Sequence, residues 1–152
     1  MTATLHQVLA GEACAPVYRL VERTSARTIA RAAERAGWHA MLLDGALLAS
    51  KADFLDAAGR AMSFPPWAGH NWDAFEELVN DLSWQPWAEG YLLLFERASW
   101  LAKAQPKVIS VALDILATAA ENRRAAGLVP LAVVLRGAGA LAADLPLLTI
   151  SR

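Results

Sequence analysis

The sequence contains a single cysteine, Cys14, so no internal disulfide can form. No run of about 20 uninterrupted apolar residues is present, which is the length that a transmembrane helix needs. The first residues lack the basic stretch that begins a secretion signal, and His6 and Glu12 interrupt the unbroken apolar run that follows it in such a signal. These absences predict a protein of the reducing cytoplasm without a membrane segment.

The groups that carry catalysis or bind metals and cofactors are also scarce. His6, His39 and His70 are scattered, with no metal-ligand spacing between them. The glycines at 136–141 lack the spacing of a phosphate-binding loop. We therefore predict no enzymatic activity, no metal and no cofactor. An acid/base pair of His70 and Asp73 is the one catalytic alternative, and it is the least favoured.

What the sequence does contain is an alternation of apolar runs and capped helical stretches. Its 152 residues suit one domain, and no linker or low-complexity segment divides them. Strands are predicted at 16–22 (a candidate edge strand), 38–46, 90–98 and 128–137, and helices at 25–37, 50–62, 71–82 and 104–127. Ser25, Ser50 and Asn71 are the predicted N-caps. This order predicts an α/β fold with a parallel or mostly parallel sheet covered by helices.

Charge is segregated along the chain, although the formal net charge is only −1. Residues 44–96 carry a net charge of −7, whereas residues 1–43 carry +2 and residues 97–152 carry +4. Direct binding of nucleic acid is disfavoured, because the most distinctive charged region has the same sign as phosphate.

The acidic region centres on a predicted helix that starts after Asn71. Its apolar residues follow helical spacing and form one stripe: Trp72, Phe75, Leu78, Val79 and Leu82. A second stripe holds Asp73, Glu76, Glu77, Asn80 and Asp81. Like charges four residues apart, such as Asp73 and Glu77, each destabilise an isolated helix by about 0.2–0.5 kcal/mol. No lysine or arginine occurs between residues 61 and 96, so no positive charge nearby in the sequence offsets this repulsion.

Two interpretations of this acidic stripe are open. A solvated helix face is the ordinary explanation for a row of charged residues. However, the stripe is of a single sign, and the loop before it, residues 65–70, places Trp67 nearby. An aromatic residue beside unpaired carboxylates favours a recognition surface for a cationic partner. Trp38, Trp84, Trp87 and Trp100 are expected to serve core or rim packing rather than ligand stacking.

The middle of the chain resembles the barstar family, the intracellular protein inhibitors of barnase-type ribonucleases. The resemblance rests on an aromatic loop followed by Gly-x-Asn-x-Asp-Ala, here Gly69-His70-Asn71-Trp72-Asp73-Ala74, and on the order of the flanking elements over about residues 39–136. It implies a barstar-like α/β domain, a small parallel sheet of three to four strands packed with helices. It also implies that the loop and the acidic helix block a ribonuclease active site, with carboxylates where RNA phosphates would lie.

The resemblance also assigns roles to individual residues. Trp67 matches an aromatic contact, Asp73 a partner-binding aspartate, and Glu77 the central aspartate of the family's binding site. Glu76 stands where the compact inhibitor has tryptophan, and Asn122 and Ala126 replace two glutamates at the end of the long helix. The predicted partner-binding residues are Trp67, Gly69, His70, Asn71, Asp73, Glu76, Glu77, Asn80 and Asp81.

The resulting hypothesis is an immunity-type inhibitor of a basic ribonuclease or nuclease toxin, of undefined oligomeric state. The alternative is a barstar-fold interaction module with a non-nuclease partner. We predict an N-terminal extension over residues 1–36, with an extra strand and helix packed on the core. A barstar-like domain is predicted over 37–140 and a tail over 141–152.

Overall fold

The computed structural model describes residues 2–150. Residues 1, 151 and 152, which belong to the predicted extension and tail, lie outside the described residues. The strands are β1 (Thr2–Thr4), β2 (Val17–Leu20), β3 (Trp38–Asp44), β4 (Gly90–Glu96), β5 (Leu131–Arg136) and β6 (Leu147–Thr149). The helices are α1 (Leu5–Leu9), α2 (Ala26–Arg35), α3 (Lys51–Ala61), α4 (Trp72–Asp81), α5 (Ser99–Ala104) and α6 (Pro106–Ala125), with a 3-10 turn at Gly139–Ala142.

The strands form one sheet in the order β1-β6-β2-β5-β4-β3, and every neighbouring pair is parallel. The predicted α/β class with a parallel sheet is therefore confirmed. The predicted count of three to four strands is wrong, because the sheet has six. The two strands that were not predicted, β1 and β6, are three residues long, which is too short for a period-2 pattern to be recognised.

The position of β2 in the sheet also differs from the prediction. It was expected at an edge, but it lies between β5 and β6. Its four residues pair with Val133–Arg136 of β5, and two of them also pair with β6. A segment near the start of the chain is thus an interior strand.

Side-chain caps set the starts of three helices, as predicted. Ser25, Ser50 and Asn71 each accept a hydrogen bond from the backbone N–H three residues later. The longest helix, α6, has Pro106 in its first turn, where proline is tolerated because its missing N–H has no intrahelical partner. Among residues 2–150, no helix is long and apolar enough to span a bilayer.

Helices cover both faces of the sheet. One face packs against α3 to α6 and includes Met41, Leu93 and Val133. The other face, with Leu92 and Val134, packs against α1 and α2. Because side chains alternate between faces along a strand, this two-sided cover explains why every residue of β4 from 90 to 95 is buried.

Arg136 links the ends of β4 and β5 to the segment that precedes α2, at the carboxyl end of the sheet. Its guanidinium forms an ion pair with Glu96 at the end of β4, with both side chains largely buried. The same side chain donates hydrogen bonds to the backbone carbonyls of Glu22, at 2.9 Å, and Thr24. The segment that leads into α2 is therefore attached to the ends of β4 and β5.

Candidate functional site

The acidic helix α4 is anchored by its apolar stripe. Phe75, Leu78 and Val79 are buried, and the Phe75 ring packs edge-on against Phe54 of α3 with centroids 5.5 Å apart. Trp72 is half-buried, with the Lys51 ammonium 5.5 Å from its ring centroid. These contacts fix one side of α4 to the core, so the opposite side faces solvent.

The start of α4 is set by the predicted Gly-x-Asn-x-Asp motif. The Asn71 side chain accepts a hydrogen bond from Ala74 N at 2.8 Å, which caps the first turn. A Cβ atom at Gly69 would lie 3.2 Å from Asn71 Nδ2 and 3.4 Å from Ala74 Cβ, so a larger residue would press on the cap. Gly69 and Asn71 thus serve the geometry of the helix start.

The carboxylates of α4 are exposed to solvent. Asp73, Glu76 and Glu77 form no ion pair with any residue from 2 to 150. Asp73 lies in the first turn, where the positive end of the helix dipole stabilises a negative charge. The stripe predicted from residue spacing is therefore present as one exposed negative surface.

The loop before α4 carries an exposed tryptophan. The Trp67 side chain is 78% exposed, so its indole ring is available for contact with a partner. Beside this loop, a groove of about 260 Å³ runs between the loop and α3; its walls include Leu55, Phe64 and His70. The aromatic group and the groove adjoin the start of the acidic surface.

His70 and Asp73 do not form the acid/base pair of the catalytic alternative. Both side chains are exposed, and no hydrogen bond joins them within the described part of the chain. The geometry therefore gives no support to the enzyme hypothesis.

At its other end, α4 is attached to α6. The Asn80 side chain donates to the Glu76 carbonyl at 2.8 Å and accepts from Asn122 Nδ2 at 3.1 Å. The Arg123 guanidinium donates to the backbone carbonyls of Asn80 and Asp81 at 2.8 and 2.9 Å. Two members of the predicted site, Asn80 and Asp81, are thus held by a neighbouring helix.

Arg123 was not among the residues predicted for the site. It is 4% exposed, and burial lowers the pKa of its guanidinium. A signal was nonetheless present, because Arg123 continues the apolar stripe of α6 through Leu116 and Ala119 at helical spacing. An arginine in a buried stripe needs internal acceptors, and here α4 provides two of them.

The other tryptophans divide into two groups. Trp38 is buried, and Trp84 is half-buried with its Nε1 donating to the Met62 carbonyl at 3.0 Å, as expected for packing residues. Trp87 is 81% exposed and Trp100 is 48% exposed. These two therefore lie outside the core, and rim packing, the other role in the prediction, stays a prediction for them.

A parallel α/β domain with a capped, exposed acidic helix beside an exposed tryptophan has the features of a protein-recognition domain. The family model described as barstar (barnase inhibitor) matches residues 38–136, which run from the start of β3 to the end of β5. The chain therefore belongs to the barstar family. A search of curated proteins finds no significant individual match. Residues 2–37, with β1, α1, β2 and α2, lie outside the matched region.

Proposed function

We propose that this protein inhibits a basic ribonuclease or nuclease toxin by covering its active site with α4 and the preceding loop. The observation that carries the proposal is a capped helix in a barstar-family domain whose exposed carboxylates have no ionic partner among residues 2–150. A ribonuclease active site holds cationic groups that bind RNA phosphates, so it is electrostatically complementary to such a surface.

The proposed roles follow the family's binding residues. Trp67 contacts the enzyme as an aromatic anchor, and its 78% exposure leaves it available. Asp73 and Glu77 bind the enzyme's cationic groups, with Glu77 at the centre of the interface. Compared with the family's aspartate, Glu77 has one additional methylene group, so its carboxylate extends further from the helix.

At three further positions the chain differs from the family's binding residues, and these differences bear on which ribonuclease is the target. Glu76 replaces a tryptophan, which makes the centre of the surface more acidic and less apolar. Asn122 and Ala126 replace glutamates, and Asn122 bonds to Asn80. Because the charge is distributed differently from that of the compact inhibitor, we propose a basic ribonuclease as target without restricting it to barnase.

Inhibition of RNA cleavage by purified barnase-type ribonucleases tests the proposal. We expect the wild-type protein to inhibit at least one, and Asp73→Ala/Glu77→Ala to lose most of that inhibition. Among single acidic residues of α4, Glu77→Ala should weaken binding most. The coupling energies known for close charge pairs of the barnase–barstar complex, about 1.5–7 kcal/mol, give the expected scale.

A matched control removes two exposed acidic residues elsewhere. Glu12→Ala/Glu34→Ala changes the net charge equally but lies outside the proposed surface, so inhibition should persist. An alanine scan of α4 with no effect at any acidic position would contradict the proposal. A non-nuclease partner that binds the wild type and the Asp73→Ala/Glu77→Ala variant equally would instead support the alternative, an interaction module that retains only the fold.

A further inference from the structure

Arg123 is a charged side chain inside the protein, and its contacts indicate what it does. Beyond the carbonyls of Asn80 and Asp81, its Nε donates to the Val129 carbonyl at 2.9 Å. Its guanidinium carbon lies 5.7 Å from the Tyr91 ring centroid. Burying an arginine is costly unless its donors are satisfied, and here backbone carbonyls and an aromatic ring surround it.

The group that Arg123 contacts is the last turn of α4. The final carbonyls of a helix lack intrahelical partners and carry the negative end of the helix dipole. α4 ends at Asp81, and its C-cap is Leu82, a non-glycine residue with a φ of 52° whose N–H bonds to the Leu78 carbonyl. The guanidinium therefore caps a helix end that lacks the glycine often found there.

The direction from which this cation approaches is important. The usual relief for like charges along a helix is a surface lysine or arginine three or four residues away, and such a residue would engage the carboxylates. Arg123 approaches from the core side, and all three of its hydrogen bonds go to backbone carbonyls. It places a positive charge near Asp81, whereas no acidic side chain of α4 forms an ion pair within residues 2–150.

We propose that Arg123 is a positioning residue for the acidic surface: it fixes the last turn of α4, and with it Glu77 and Asp81, in the orientation that the partner recognises. Its consequence for binding rests on the proposed function. Holding the surface in its bound geometry before the partner arrives reduces the ordering cost of association.

The first experiment needs no partner. Backbone amide exchange is compared between the wild type, Arg123→Met and Lys107→Met, which removes an exposed positive charge from the same helix. We expect Arg123→Met to speed exchange over residues 78–82 at least about tenfold more than over β4 and β5, because the last turn then opens locally. A uniform increase along the chain would overturn the proposal, since it would mean that Arg123 only adds global stability.

If Arg123→Met does not fold, Arg123→Lys takes its place. Lysine keeps the positive charge but lacks the planar fork of donors that reaches three carbonyls at once. Faster exchange confined to residues 78–82 in Arg123→Lys supports the proposal, and exchange like that of the wild type overturns it.

The second experiment measures binding to a ribonuclease that the wild type inhibits. For folded Arg123→Lys, we expect the dissociation rate to rise at least about tenfold while the association rate stays within about twofold, because the net charge is unchanged. Lys107→Met should leave the dissociation rate unchanged. If Arg123→Lys exchanges faster over residues 78–82 but dissociates from the ribonuclease at the wild-type rate, the positioning role is overturned. If the wild type inhibits no ribonuclease, the proposed function fails, whereas the exchange experiment still decides whether Arg123 holds α4.

Discussion

The helices α2 and α4 cover opposite faces of one sheet and carry opposite charges. Each has ten residues and a side-chain N-cap. α2 exposes arginines at four-residue steps, Arg27, Arg31 and Arg35, and α4 exposes Asp73, Glu77 and Asp81 at the same spacing. No side chain of either stripe forms an ion pair within residues 2–150. A single-signed stripe therefore does not by itself distinguish a recognition helix.

What distinguishes the two helices is how each ends and what lies beside it. α2 ends conventionally, with Gly37 at a φ of +85° directly after its C-cap, and within residues 2–150 no side chain from another element donates to its last carbonyls. The last turn of α4 is fixed by Arg123 and Asn122, and an exposed tryptophan precedes its first turn. An oriented stripe beside an aromatic group supports recognition, whereas the stripe of α2 fits a solvated face.

Removing the α2 side of the molecule should have the largest effect. Deletion of residues 1–36 would expose Leu92, Leu94 and Val134, which are fully buried, and leave β5 without β2 beside it. We expect the shortened chain to lose its cooperative thermal transition, because the sheet needs cover on both faces. Circular dichroism during heating measures this.

A milder variant serves as a control for that deletion. Arg27→Ala/Arg31→Ala/Arg35→Ala keeps α2 and changes only its exposed side chains, so the transition should persist. A shortened chain that unfolds as cooperatively as the wild type would show that residues 37–152 are stable without helices on the second face of the sheet.

The connection between the two sides can be tested at Arg136. We expect Arg136→Met to lower the free energy of unfolding by about 3–5 kcal/mol, because it leaves Glu96 largely buried without its partner and frees the carbonyls of Glu22 and Thr24. Urea unfolding measures the loss. The control is Arg97→Met, which removes the exposed ion pair with Asp44 and should cost much less. Equal losses for the two variants would contradict the joining role of Arg136.

The smallest effect of a substitution is expected for the arginines of α2, and it is measured as the rate of association with a basic ribonuclease. If α4 steers a basic ribonuclease, the association rate should fall steeply between low and physiological salt, since screening weakens the summed field. Alanine at Arg27, Arg31 and Arg35 should leave that rate equal or slightly higher, because it removes charge that repels the partner. Stopped-flow measurements over a salt series test this. A rate that hardly changes with salt would show that the acidic stripe does not steer association.

Much of the fold could be predicted because local sequence signals agree with the tertiary structure. Ser25, Ser50 and Asn71 cap helices where expected, and the runs at β3, β4 and β5 are long enough to be recognised. The five-residue helix α1 and the strands β1 and β6 are too short to be predicted from periodicity. The interior position of β2 depends on strand order, which is set by packing between distant segments and not by the four residues of the strand.

The candidate site, too, has features that local sequence predicts and features that depend on packing between distant segments. The exposed stripe of α4 follows from residue spacing, because the apolar residues of a helix set which side is buried. The role of Arg123 could not be inferred in this way, because two of its three acceptors belong to another helix, 42 and 43 residues earlier in the chain. Local patterns locate exposed groups, whereas the contacts that orient them are long-range.

The pairing of β2 has a consequence for the order in which the chain folds. Arg136, at the end of β5, bonds to a carbonyl 114 positions earlier, and Thr149 bonds to Ala3 at a separation of 146. During synthesis, β2 and α2 emerge long before β5, the strand beside which β2 lies in the folded sheet. In contrast, β3, β4 and β5 lie side by side in the order in which they are made. We expect the barstar-family segment to collapse first and the earliest-made residues to dock last, because closing long loops is slow. Until then one apolar side of the nascent sheet is open, which is the surface that chaperones bind.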